Sequence, residues 1–285
     1  MEKKKQHGNG VGILLDVFLG ICISALFVAI QFGASVISAR ITNILNPAAR
    51  AVLQQVGDKY TSTGIADFNT FYSDYYSLLI PPTVVLELIL VFLIAEKIAQ
   101  YQKQPMVKPL SVYTAMFIIG CGVTLNYLIS VPIELTPSLK TLSDATTTYV
   151  QTMSVPSLLL FIGLLSPLAE ELLFRKIMLG SMLKYGQIKA LIISGLFFGI
   201  MHGNPFQFMY AFPLGIILGW IYVKSGENIT ASFLFHAAIN TSSVILEKFG
   251  MYWMNIVLIT TMIFAFCSWL RTDADRQKLP SVKEA

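Results

Sequence analysis

Residues 166–175 read Ser166-Pro167-Leu168-Ala169-Glu170-Glu171-Leu172-Leu173-Phe174-Arg175. They interrupt an apolar run over 157–183 with three charges and a proline. The fold turns on whether that run lies in water or in lipid. The surrounding composition decides it. Of 285 residues, 55% are hydrophobic and 13% charged, against roughly 25% charged in a soluble domain. Mean hydropathy is +0.66. So few polar residues cannot cover a water-soluble surface, which excludes disordered, nucleic-acid-binding and ordinary cytosolic classes. The reading is an all-α, polytopic membrane protein.

Outward from 157–183, apolar runs cover 11–38, 78–97, 111–131, 187–203, 206–223, 228–248 and 252–270. A membrane-crossing helix needs about 20 such residues, so about eight transmembrane helices are expected. The run at 11–38 exceeds a signal-peptide core of about 7–15 residues and is read as an uncleaved first helix. With an even count both termini share one side. Placing them in the cytoplasm puts fifteen of the twenty Lys and Arg inside and five outside, as the positive-inside rule requires. The expected location is the cell membrane, multi-pass. The longest stretch between runs, about 40–77, is expected as an external loop, with a short amphipathic helix over 43–55. Tyr252, Trp253 and Trp269 bracket the last run as interfacial anchors would. Cys22, Cys121 and Cys267 are odd in number, widely spaced and apolar in setting, so no disulfide framework is expected.

Ionisable groups in lipid are costly, about 2.5–3.5 kcal/mol at a helix centre on translocon scales, and need a reason. Asp16 and Glu87 are lone acids, read as snorkelling or internally paired carboxyls. Glu170 and Glu171 differ from these. Adjacent residues lie 100° apart on a helix, so the two carboxylates serve different purposes. Glu171 and Arg175, four apart, stack on one face and can pair. Glu170 is left without a local cation. Pro167 removes the helical hydrogen bond to the Gly163 carbonyl and can kink the chain there.

Gly195, Gly199 and His202 share a face of the next helix, where the glycines admit a close neighbour. The turn between the two helices centres on Tyr185 and Gly186. Glu170 precedes Gly186 by as many residues as His202 follows it. At about 1.5 Å per residue in an antiparallel hairpin, the two should reach one depth. Further on, His236 and Asn240 lie four apart on one face. Gly215 and Gly219 form a small-residue face suited to helix packing. The set Glu170, His202, His236 and Asn240 therefore offers a base, a proton relay and hydrogen-bond donors. No His-Glu-x-x-His zinc helix and no Gly-x-Ser-x-Gly elbow is present.

In order and spacing these residues resemble the CPBP group of intramembrane proteases, also called Abi or CAAX-protease-like. Glu170, Glu171 and Arg175 match its Glu-Glu-x-x-x-Arg motif. Phe198 and His202 match Phe-x-x-x-His. Phe212, Gly215 and Gly219 match its aromatic and spaced-glycine region, and His236 and Asn240 match the last motif. The likeness spans about 165–245. It implies eight membrane helices around a water-filled polar cavity. It further implies that Glu170 and His202 activate water, that His236 and Asn240 stabilise the oxyanion, and that Glu171 and Arg175 hold the geometry. The implied activity is hydrolysis of a peptide bond in a membrane-associated protein or peptide, either a CAAX-type prenyl protein or a bacterial substrate.

The family is often labelled metalloprotease, and Glu170, His202 and His236 could hold zinc with water as fourth ligand. A Glu that ligates zinc is poorly placed to take the water's proton as well. The metal-free assignment uses each residue once and is preferred, with no cofactor expected and zinc as the alternative. Expected partners are membrane lipid and a protein or peptide substrate, with no nucleic acid. The domain reading is N-terminal helices over 1–155, catalytic helices over 156–250, and a last helix and cytoplasmic tail over 251–285. Two other functions compete. One is a non-catalytic bacteriocin-immunity or scaffold protein. The other is a proton-coupled transporter, for which buried carboxylates and histidines would also serve; a carrier would favour polar residues in both halves, and here they lie in the second.

Overall fold

The computed structural model describes residues 68–99, 110–143 and 153–277, with Ala25 and Ala29 besides. The rest of the first run, Asp16, Cys22 and the amphipathic helix over 43–55 lie outside the described residues. Those described are helical, with no strand among them. We label the helices α1 (Phe68–Ala99), α2 (Val112–Leu135), α3 (Val155–Tyr185), α4 (Gln187–Ile200), α5 (Pro205–Lys224) and α6 (Ile229–Gln277). α2, α3, α5 and the Ile229–Ser268 part of α6 are each long and apolar enough to cross a membrane. Exposed side chains on them are large and apolar, among them Leu128, Met209, Ile259 and Phe266. That is the surface a lipid-facing helix presents.

Two boundaries differ from the hydropathy reading. α1 begins at Phe68, so residues 68–77 are helix and not part of an external loop. Its first ten residues are polar and aromatic, and Pro81 and Pro82 lie within the helix. A reading by hydropathy starts the run at 78, where the apolar residues begin, and misses this polar beginning. α4 ends at Ile200 after 14 residues, about 21 Å at 1.5 Å per residue. It is shorter than the hydrocarbon core of about 30 Å.

α6 breaks at Gly250, with φ 79° and ψ 179°. A side chain there would be strained, so glycine ends one apolar arm and starts the next. α2 packs along both arms. A Cβ on Gly122 would lie 2.7 Å from the Phe235 carbonyl oxygen, and one on Gly120 would lie 2.6 Å from Ala265 Cβ. Only glycine permits these approaches. Asn126 clamps the same seam: its Nδ2 donates to Ser242 Oγ at 2.9 Å and its Oδ1 accepts from Ser243 Oγ at 2.8 Å. Such interhelical bonds in lipid contribute about 0.6 kcal/mol each.

The main core joins α1, α3, α4, α5 and the first arm of α6. Val91, Phe174, Met178, Phe198, Leu218 and Phe235 are buried in it. α4 and α5 meet where a Cβ on Gly215 would lie 2.9 Å from Gly195 Cα, and Gly219 packs on Leu191 and Leu179. The Gly215 and Gly219 face is thus a helix-packing face. The neighbour that the α4 glycines admit is α5, through Phe208, Phe212 and Ile216, and not the helix of Glu170.

Candidate active site

α3 carries the two carboxylates on an unusual backbone. A short α stretch, Ser166–Glu171, lies between two π-helical stretches, Leu158–Leu165 and Leu172–Leu179. In the π register each N–H reaches back five residues, and such widened turns occur frequently at functional sites. The Ser166 N–H accordingly donates to the Phe161 carbonyl. The next residue is Pro167, which has no N–H. In this register the carbonyl deprived of a donor is Ile162, and not Gly163 as α spacing leads one to expect. The Asn240 Nδ2–H of α6 donates to it at 3.1 Å.

Glu171 and Arg175 are fully buried, and Arg175 Nε donates to Glu171 Oε2 at 3.2 Å. The guanidinium has two further supports. Nη1 donates to Ser194 Oγ at 3.3 Å, and its carbon lies 4.8 Å from the Phe198 ring centre. Ser194 Oγ in turn donates to the Phe174 carbonyl at 3.0 Å. Glu171 has a second partner: His236 Nδ1 lies 3.0 Å from Oε1. A carboxylate already accepting from Arg175 takes an N–H, so Nδ1 carries a proton and Nε2 is the nitrogen turned away from Glu171. That nitrogen faces Glu170, 3.7 Å from Oε2. The gap exceeds a direct hydrogen bond. Glu170 Oε1 accepts from Ser166 Oγ at 2.8 Å, which leaves Oε2 as its available oxygen.

Four expected residues, Glu170, Glu171, Arg175 and His236, thus form one buried chain. Asn240 sits one turn beyond His236 on the same arm, tied to Ile162. His202 is placed differently. It lies in the turn after α4, half-buried, and Nδ1–H donates to the Phe198 carbonyl at 2.8 Å. Its ring meets the other groups through Phe198, whose ring centre is 5.1 Å from His202 and 5.6 Å from His236. Glu87 is 2% exposed, so it does not snorkel. It falls on the buried face of α1 with Val84 and Val91.

Ser166, Ser194 and the Ile162 carbonyl were not among the expected residues. The signal for Ser194 is a lone hydroxyl beside Gly195 in an apolar helix, where a polar side chain must find a partner. The set does not fit a metal as arranged. Glu170, His202 and His236 would have to converge, and His202 is turned to Phe198. Among the described residues no group of three or more His, Cys, Asp or Glu is arranged to hold an ion.

All-helical, apolar on the outside and holding a buried Glu–His–Glu–Arg chain, the described region has the features of a membrane-embedded protein with a polar site. Residues 152–242 match the Rce1-like family, described as type II CAAX prenyl endopeptidase Rce1-like. The match supports the CPBP/CAAX protease family for that segment, which contains all six expected site residues. No curated protein and no solved structure matches the chain.

Proposed function

We propose that the protein is an intramembrane endopeptidase with eight membrane-crossing helices and both termini in the cytoplasm. The observation that carries this reading is the buried chain from Arg175 through Glu171 and His236 to Glu170. A lone charged residue in lipid is a cost. Four groups in sequence, ending on a carboxylate oxygen and an imidazole nitrogen 3.7 Å apart, form an arrangement that does chemistry.

In this mechanism a water molecule occupies the space beside Glu170 Oε2. Glu170 takes its proton as the water oxygen attacks the scissile carbonyl carbon. His202 orients that water through Nε2 once its ring swings from the Phe198 side toward Glu170. Arg175 neutralises Glu171, and Glu171 fixes the imidazole of His236, as the third group of a catalytic triad does. In its protonated form His236 donates Nε2–H to the developing oxyanion. Asn240 has a second amide N–H for the same purpose. Glu170 then passes its proton to the amine leaving group, and the peptide bond breaks.

The family match supports a CAAX-type prenylated peptide as substrate. The test offers purified protein a farnesylated CAAX reporter peptide and the same peptide unprenylated. Products are identified by mass spectrometry. Cleavage of the farnesylated form alone supports this class. Equal cleavage of both supports a peptidase without prenyl selection, and cleavage of neither counts against it.

A further inference from the structure

We infer that Pro167 is a positioning residue: by withholding a backbone donor from the Ile162 carbonyl, it leaves that carbonyl to lock the Asn240 amide in place. The inference deepens the proposed function, and its catalytic part rests on that reading.

Three observations carry it. First, the Ser166 N–H bonds to Phe161 five residues back, so the register reaching Ile162 ends at residue 167. A proline at 167 cannot complete it. A carbonyl without a donor in a membrane-spanning helix is costly, so a partner must come from elsewhere. Second, that partner is Asn240 Nδ2, 3.1 Å away on another helix. Third, the neighbouring residue is shaped to allow the approach. A Cβ on Gly163 would lie 2.9 Å from Thr241 Oγ1, beside Asn240. Glycine at 163 and proline at 167 thus serve one contact, which ties the α6 arm of His236 to the helix of Glu170. With one N–H held by Ile162, the planar amide has one orientation, and its second N–H is fixed rather than free to rotate.

Pro167→Ala is the discriminating substitution. It restores a backbone N–H at position 167. If the π register persists, that new N–H donates to Ile162. If the turn tightens to α spacing, the Ser166 N–H does. Either way the carbonyl no longer depends on Asn240. Removing a proline from a helix interior does not itself weaken a helix, so loss of fold does not confuse the result.

The test is a thermal double-mutant cycle on the full chain in detergent, with Pro167→Ala, Asn240→Ala and both. Asn240→Ala should lower Tm by about 2–4 °C in the wild-type background and by clearly less in the Pro167→Ala background. In parallel, Pro167→Ala should lower kcat on the farnesylated reporter peptide about 10–100-fold with KM unchanged, as small misplacement of a catalytic group does, while Tm holds or rises. Equal Tm losses from Asn240→Ala in both backgrounds would overturn the inference. So would wild-type kcat in Pro167→Ala. If the wild-type protein cleaves no reporter, the proposed function fails, and the thermal cycle still decides whether Pro167 and Asn240 are coupled.

Discussion

His236 Nδ1 lies 3.0 Å from Glu171 Oε1, joining residues 65 apart in the chain. Glu171 is therefore held from two helices, by Arg175 on its own and by His236 on α6. The consequence is a division of labour between adjacent carboxylates. Glu171 is structural and fixes the imidazole. Glu170, whose Oε2 faces Nε2 at 3.7 Å, is the reactive one in the proposed mechanism.

That division sets the first prediction. Glu171→Gln leaves Arg175 as a buried charge without its counter-ion and should cost about 3–5 kcal/mol of stability, together with activity. Glu170→Gln should abolish activity with little change in melting. Thermal unfolding of both variants in the same detergent checks this. Equal stability losses would contradict the division.

The contact between α4 and α5 gives the second. A Cβ at position 195 would lie 2.7 Å from Ile216 Cγ1 and 3.0 Å from the Ile216 nitrogen. Gly195→Val should therefore push the helices apart, at about 1–3 kcal/mol for overpacking. Gly203→Ala makes a useful contrast. Nothing lies within 4 Å of its Cβ position, and its penalty comes only from a φ of +65°. Its effect on melting should be the smaller of the two.

Topology supplies the third. Lys184, at the turn between α3 and α4, should report as cytoplasmic in reporter fusions, and Lys140, after α2, as external. An external signal at Lys184 would invert the catalytic helices and remove the eight-span arrangement.

The fourth concerns metal. The proposed mechanism takes its base from Glu170 and its oxyanion donors from His236 and Asn240. Demetallated protein should stay active, with less than one zinc per active chain by elemental analysis. Activity lost to a chelator and restored by stoichiometric zinc would replace this mechanism.

Much of this site is legible in the sequence because it follows from helix period. The Glu171–Arg175 pair comes from spacing of four, and the turn at Gly186, with φ 113°, is placed by its glycine. Long-range partners are harder to read. Spacing puts His236 and Asn240 on one face, but nothing local says that Glu171 and Ile162 lie opposite them. The π turns of α3 leave no mark in hydropathy, since a widened turn keeps its side chains apolar. For that reason the carbonyl exposed by Pro167 is shifted by one residue from the α expectation. His202 shows the limit of depth arithmetic. Its count from Gly186 is sound, but α4 ends at Ile200 and the ring turns back to Phe198. Glu87 could not be judged from sequence, because burial of α1 depends on which helix covers it.

The central claim is that Glu170 activates water for peptide hydrolysis. Its most direct measurement is the single-turnover cleavage rate of the farnesylated reporter peptide by purified wild-type protein and by Glu170→Gln at equal folded concentration. The substitution keeps the size of the side chain and removes the base. The account predicts cleavage at one peptide bond by the wild type, and a rate lower by at least about 10²–10⁴-fold in Glu170→Gln, the range typical for loss of a general base. A Glu170→Gln protein that cleaves at the wild-type rate would contradict it.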